Sequence, residues 1–562
     1  MNAVKNSARE GGRILVDALK IHGTDTVFCV PGESYLPVLD ALHDEAEQVR
    51  LVVCRHEGGA AYMAEAYGKL TGRPGVCFVT RGPGATNASI GVHTARQDST
   101  PMILFIGQVG GGIVEREAFQ EIDYRRMFGQ MAKWVAQVDR VERLPEMISH
   151  AFHLAVSGRP GPVVLALPED VLSAVAGVAD TGPYRQIQAH PGQADLAELR
   201  ARLIAAERPL LILGGGGWTE AACADIRQFV EDNQLPTACT FRRQTLLDNR
   251  HPNYIGDLGL GGNPRLTERV LQADLLIAVG PRLGEASTGG YQLLEVPCPQ
   301  QTLVHVHAGA EELGRVYQAD LPINAGMAEF SAAVSQLPPV ASPCWAGWLA
   351  AARRDYQSFQ QLPELRGVLD LAAVVAHLNQ RLPPEAVVTN GAGNYAGWVH
   401  RFYQYRGFGT QLAPTNGAMG YGVPAAIAAK LVHPDRPVVC FAGDGCFQMN
   451  GQELATAVQY QLPVIFLLCN NGMYGTIRMH QERRYPGRVS GTDMHNPDFV
   501  ALARAYGANA ELVRDQAGFV AAFERALSSS IPTLIELQTD PQAITPTATL
   551  DQLRQQALSG KS

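Results

Sequence analysis

Short runs of consecutive apolar residues recur along this chain, separated by longer stretches in which polar and apolar positions mix. Thr26-Val27-Phe28-Cys29-Val30, Leu51-Val52-Val53-Cys54, Gly75-Val76-Cys77-Phe78-Val79 and Val163-Val164-Leu165-Ala166-Leu167 are the first of them. Pro209-Leu210-Leu211-Ile212-Leu213, Leu275-Leu276-Ile277-Ala278-Val279, Ala386-Val387-Val388-Thr389, Val438-Val439-Cys440-Phe441-Ala442 and Val464-Ile465-Phe466-Leu467-Leu468-Cys469 continue the series. A continuous apolar run reads as a strand covered on both faces, which is the habit of parallel sheets. The amphipathic stretches between runs read as helices, so the pattern predicts an α/β protein of three doubly wound parallel-sheet domains. The first domain is expected over residues 1–180, closing near Pro168, with a Pro/Gly-punctuated linker at 181–192. A central domain is expected over 193–338, opening on the Pro209 run and Gly214-Gly215-Gly216-Gly217, and residues 337–343 read as a second linker. The third domain is expected over 365–540. The tail, 541–562, either folds over a site or is frayed.

Two motifs stand at predicted strand ends in the third domain. Gly443-Asp444-Gly445 follows the Val438 run, and Asn470-Asn471 follows the Val464 run. An open α/β sheet keeps its ligand crevice at the carboxyl ends of its strands. A carboxylate, a side-chain amide and a nearby carbonyl suit a small oxygen-preferring cation such as Mg²⁺, which keeps positions for ligand phosphate oxygens. Gly443 and Gly445 let backbone approach a diphosphate closely. A lone Gly-Asp-Gly is more often an acidic turn; the paired motif reverses that preference.

This arrangement resembles the cofactor motif of thiamine-diphosphate enzymes. The resemblance implies that Asp444 and the Asn471 side chain bind Mg²⁺ with the Met473 carbonyl as third protein ligand. Cys446 and Tyr474 flank the cofactor. Upstream, Arg55-His56-Glu57-Gly58-Gly59-Ala60-Ala61-Tyr62-Met63-Ala64 resembles the segment whose glutamate hydrogen-bonds the cofactor aminopyrimidine, which would be the role of Glu57. A carboxylate is also simply favourable at a helix N-terminus. Thr80-Arg81-Gly82-Pro83-Gly84-Ala85-Thr86-Asn87 reads as a Gly/Pro turn. Together with Ala118-Phe119-Gln120-Glu121 it resembles acetolactate synthase and its relatives. Gly417-Ala418-Met419-Gly420 resembles the pyrimidine cradle, with Met419 as the wedge under the bent cofactor, and Ala392-Gly393-Asn394-Tyr395 resembles a diphosphate-binding loop. The chain is therefore identified as an acetolactate synthase-like member of the thiamine-diphosphate superfamily, with the resemblance running from Gly11 to near Asp540.

The resemblance implies decarboxylation of a 2-oxo acid through an enamine and transfer of the acyl unit to a second carbonyl. Glu57 and Gln120 would be the catalytic side chains, and Glu57 of one subunit would meet the cation site of another. A homodimer is then the minimum active unit and a homotetramer is expected. Pro31-Gly32-Glu33-Ser34 should face the thiazolium, and Glu33, Ser34, Phe119, Gln120, Ile477 and His480 are expected around the substrate. His480 stands where acetolactate synthases carry a tryptophan, and Glu33 where relatives often have a small residue. A carboxylate there disfavours an anionic substrate unless paired or protonated. Both departures point to an acceptor other than a second small 2-oxo acid. Gly280-Pro281-Arg282-Leu283-Gly284-Glu285-Ala286 keeps the arginine of the flavin segment but not its acidic pair, so FAD is compatible with the stretch but not predicted from it. A non-ligating decarboxylase, a flavin-linked oxidase and a non-catalytic thiamine-diphosphate-binding protein are the competing classes.

Bulk properties agree with an enzyme. A chain of 562 residues exceeds a single core, and 46% hydrophobic with 18% charged residues suits globular folding. The net charge of −8 argues against nucleic acid as a general partner. Ten cysteines are scattered without a Cys-x-x-Cys pair, which makes zinc and a disulfide framework poor expectations. The first thirteen residues lack an apolar export core and no run is long enough to cross a membrane, so a cytoplasmic location is expected.

Overall fold

The computed structural model describes residues 8–363 and 368–560. The expected start of the third domain, at residue 365, lies outside them. The described residues contain three six-stranded sheets and a small two-stranded ribbon. Every pair within the three large sheets is parallel.

Residues 1–188 form one compact unit. Its strand order is Arg50–Val53, Thr26–Cys29, Gly75–Val79, Met102–Gln108, Pro162–Pro168, Trp134–Gln137. The apolar runs predicted as strands are strands, and Gly75–Val79 and Pro162–Pro168 are buried along their whole length. The Thr80–Asn87 stretch is not all turn. Only residues 80–82 turn the chain, and the helix Pro83–Asp98 begins at Pro83. Proline is suited to a first helical turn, where its missing N–H has no intrahelical partner to lose. This helix packs against the helix Glu57–Thr71 through very small residues. A Cβ on Gly91 would lie 2.4 Å from the Ala61 Cβ, so glycine is required for the approach.

Residues 189–562 form the second unit and hold two sheets. The middle sheet runs Tyr254–Leu258, Thr237–Thr240, Pro209–Leu213, Leu275–Val279, Thr302–His307, Leu321–Asn324. Alternate residues of one strand feed two separate cores: Leu211 and Leu213 pack with Ile226 and Phe229, whereas Leu210 and Ile212 pack with Leu266 and Val270. Both faces are therefore covered, as the unbroken apolar runs require. The helix Ala346–Phe359 returns to this sheet, with Arg269 paired to Asp355 and Tyr254 edge-on to Tyr356. The third sheet runs Gln411–Leu412, Val387–Asn390, Val438–Gly443, Ile465–Asn470, Thr533–Gln538, Asn509–Val513. No described helix is long and apolar enough to cross a membrane.

Candidate active site

The strands Val438–Gly443 and Ile465–Asn470 are neighbours in register, with Gly443 opposite Cys469, so their carboxyl ends lie side by side. Asp444 leaves the first strand and is buried at 3% exposure. Its Oδ1 accepts from the Gly445 N–H at 2.9 Å. Its Oδ2 accepts from the Gly472 N–H and the Asn496 side-chain amide, each at 2.8 Å. Burial raises the Asp444 carboxyl above its ordinary value, while these donors oppose the rise. Gly472 takes φ 68°, a left-handed conformation that turns the chain between Asn471 and Met473. Asn471 Oδ1 accepts from the Met473 N–H at 3.2 Å, and Met473 pairs with Asp493.

A cavity of about 250 Å³ opens over these residues. Asp444, Asn471, Met473 and Tyr474 line it, as do Gly443, Gly445 and Cys446. Ala392, Gly393, Asn394 and Tyr395 line it from the neighbouring strand end, and Gly417 and Met419 from the next loop. Tyr395 and Tyr474 lie so close to Gly443 and Gly445 that a Cβ on either glycine would come within 3 Å of a ring. Cys446 Sγ accepts from the Gly420 N–H at 3.1 Å, tying the two loops together.

The tail folds over this cavity. Thr539, Ala543 and Ile544 contribute to its lining, and the Asn394 side chain donates to the Ile544 carbonyl at 3.0 Å. Ile544, Leu550 and Leu553 pack with Met473 and Met479. Arg554 grips the buried Glu482 side-on, Nε to Oε2 at 2.9 Å and Nη2 to Oε1 at 2.6 Å. Ile477 lines the cavity, but His480 is exposed and does not. The two share a face of the helix Gly475–Arg484, one turn apart, while Arg478, Met479 and Glu482 fill the buried face. The pocket role expected of His480 thus finds no support in this placement.

In the N-terminal unit, Glu57 is the first residue of the helix Glu57–Thr71, and its Oε2 accepts from the Asn87 amide at 2.9 Å. The segment 80–82 gathers several expected residues. Ser34 Oγ and Thr80 Oγ1 are 2.9 Å apart, and a Cβ on Gly32 would lie 2.6 Å from the Thr80 Cβ. Gln120, at φ 66°, presses its carbonyl on Gly82. Glu33 is not a free carboxylate: it pairs with Arg81 at 3.0 Å, and Arg81 also holds Glu169. Phe119 is 73% exposed.

Sequence comparison agrees with this geometry. Residues 391–537 match the C-terminal TPP binding domain of thiamine pyrophosphate enzymes, 9–127 the N-terminal TPP binding domain and 196–334 the central domain. The acetolactate synthase large subunit of Parasynechococcus marenigrum (strain WH8102) is 34% identical over 541 residues, covering 94% of this chain and 87% of the relative. The acetolactate synthase isozyme 2 large subunit of Escherichia coli (strain K12) is 32% identical over 532 residues, covering 94% and 95%. The chain belongs to the thiamine pyrophosphate enzyme family. It is a thiamine-diphosphate-dependent, acetolactate synthase-like enzyme.

The cavity suits the family's cofactor. Among the described residues, its lining contains one carboxylate, Asp444, and no lysine, arginine or histidine. A cation would offset the charge of a diphosphate entering it, and Asp444, Asn471 and Met473 are the lining residues whose oxygens could hold one. Asn496, which the sequence reading did not single out, holds both Asp444 and Asn470 Oδ1, the latter at 2.9 Å. Nothing in its local sequence marks it, because the contact joins two distant segments. The Gly214–Gly217 run has a packing explanation: a Cβ on Gly215 would strike the Gly280 carbonyl at 1.9 Å.

Proposed function

We propose that this enzyme decarboxylates a 2-oxo acid and joins the acyl unit to a second carbonyl compound. The observation that carries the reading is the cavity at the third sheet's strand ends, with a buried carboxylate and, among the described residues lining it, no cationic side chain. Asp444 and Asn471 would hold Mg²⁺ through their side chains and Met473 through its carbonyl. The backbone around Gly393, Gly443 and Gly445 would then approach the diphosphate, with Asn394, Tyr395, Cys446 and Tyr474 around it. Met419 and the Gly417 backbone would support the pyrimidine. Thiamine diphosphate, when bound, supplies the carbon nucleophile and the electron sink for loss of carbon dioxide.

The protein's part is binding, orientation and proton control. Glu57 of a second copy would share a proton with the pyrimidine ring nitrogen, so a homodimer is the minimum active unit and a tetramer the expected assembly. Gln120 and Ser34 would offer hydrogen bonds to the substrate oxygens, with Gly32 beside the thiazolium and Phe119 and Ile477 forming apolar wall. Arg81 offsets the charge of Glu33, which removes one obstacle to an anionic donor. Cytoplasm is the expected compartment. FAD stays outside the proposal. The test is a panel of 2-oxo acids assayed for carbon dioxide release with thiamine diphosphate and Mg²⁺, with and without added carbonyl acceptors, followed by product analysis. Carbon dioxide release with a new carbon–carbon bond is expected; aldehyde alone would favour the non-ligating decarboxylase.

A further inference from the structure

We propose that Asn87 is a positioning residue for Glu57, fixing which carboxylate oxygen is free to exchange a proton with the cofactor. The proposal rests on the reading that Glu57 serves the aminopyrimidine. Asn87 is the fifth residue of the helix Pro83–Asp98. Asparagine is a poor helix former in such an interior position, costing about 0.5 kcal/mol relative to alanine. Its side chain does not cap its own helix. It crosses to the neighbouring one and donates to Glu57 Oε2 at 2.9 Å.

The crossing depends on the closeness of the two helices. Ala61 meets Gly91 where no larger residue fits, and the Asn87 carbonyl lies 3.4 Å from where a Gly58 Cβ would be. The other oxygen, Oε1, lies on the Gly84 side, 3.4 Å from where a Gly84 Cβ would be. One carboxylate oxygen is thus held by the amide donor, which sets the orientation of the other. A donor on Oε2 removes the carboxylate's freedom to rotate between two equivalent acceptors. The titratable groups that feel Glu57 from beneath are Tyr35 and Cys77, both kept neutral because burial raises their pKa. On the same helix, the neighbouring His56 is occupied as the cap of the Gly58 N–H.

The experiment uses the full-length enzyme with thiamine diphosphate and Mg²⁺ and compares Asn87→Ala and Asn87→Asp with wild type. Alanine is the better helix former, so the first variant folds. Cofactor Kd is measured by calorimetry, and exchange of the cofactor C2 hydrogen for deuterium is followed as a function of pH. In Asn87→Ala we expect Kd within about threefold and exchange slowed about tenfold or more across the profile, the scale of a misplaced proton-transfer group. Asn87→Asp replaces the donor with an acceptor that repels the Glu57 carboxylate and should slow exchange further. Wild-type profiles in both variants, or weakened Kd with an unmoved profile, overturn the proposal. Glu57→Gln, run in parallel, separates the two ideas. Unchanged exchange there defeats the reading of Glu57 itself, whereas slowed exchange there with normal Asn87 variants defeats only this inference.

Discussion

Arg554→Ala should unlatch the tail from the cofactor cavity. Glu482 is fully buried, and its acceptors are filled by two Arg554 donors and the Gly487 N–H at 2.9 Å. Removing one partner of a buried pair costs about 3–5 kcal/mol, because the other charge is left desolvated. Arg554 is 36% exposed, so water reaches the vacated place and the figure falls to about 2 kcal/mol. Ile544, Leu550 and Leu553 remain packed and contribute about 1.5–3 kcal/mol each before ordering entropy, which keeps the helix Leu550–Leu558 formed but opening more often. A loss of about 2 kcal/mol corresponds to amide exchange about 30-fold faster in peptides covering 541–558, with other peptides unchanged. Cofactor dissociation should accelerate in parallel, since opening withdraws the Ile544 carbonyl from Asn394. The hydrogen bonds from Arg554 hold the Glu482 carboxyl below the ordinary glutamate value of 4.5. A depressed folded pKa stabilises at all pH above the unfolded value, so the latch is constant at neutral pH and weakens only as pH falls below about 4.5. Hydrogen–deuterium exchange by mass spectrometry reads the local effect. Tail peptides exchanging at the wild-type rate, or uniform acceleration across the chain, would refute the reasoning.

Asp444→Ala should abolish Mg²⁺-dependent binding of thiamine diphosphate; calorimetric affinity equal to wild type with and without Mg²⁺ would sink that assignment. Glu57→Gln should retain cofactor but slow C2 hydrogen exchange by about two orders of magnitude or more, the usual scale of acid–base assistance, and a wild-type rate would reduce Glu57 to a helix-end residue. Asp257 predicts a stability effect. Burial pushes its carboxyl up to about 7, with a hydrogen bond from Gln244 opposing the rise. A raised acid binds a proton in the folded state that the unfolded chain has already lost, so its contribution to stability is present below about pH 4 and declines until about pH 7. Asp257→Asn should therefore stabilise the fold at pH 8 by at most about 4 kcal/mol, read as a higher first unfolding Tm, and change little at pH 4; equal Tm shifts at both pH values would contradict it.

What the sequence made legible were features whose signal is local. An apolar run bounded by turn residues forms a strand wherever it is buried on both sides, so the strands carrying Asp444 and Asn471 were visible before folding was considered. The proximity of Asp444 and Asn471 was legible for the same reason, because each follows its own strand and the two strands are neighbours. Composition and periodicity alone stopped at a large α/β protein with an acidic turn; resemblance supplied the cofactor. What stayed hidden depends on distant pairing. Asn496 reaches Asp444 across a loop, Glu33 finds its counter-charge in Arg81 beyond another strand, and the tail's anchor needs Glu482 and Arg554, 72 positions apart. His480 is a different case: its position in an aligned helix suggested a pocket, and its side chain is exposed on the face it shares with Ile477.

The arrangement of the two units' chemistry has a physical logic that reaches beyond motif matching. A doubly wound sheet leaves its strand ends as the place where backbone donors and carbonyls are not consumed by the ladder, so a phosphate and its cation settle there without a dedicated cationic side chain. The same geometry cannot supply a proton-sharing carboxylate aimed along a flat heterocycle, because the cradle's own carboxylate is committed to Gly445, Gly472 and Asn496. A second carboxylate must therefore come from elsewhere, with a different environment. On the proposed reading Glu57 would meet that need: it sits at a helix start and accepts a hydrogen bond from a neutral amide. An amide orients without locking, which is the property a proton-exchanging group requires.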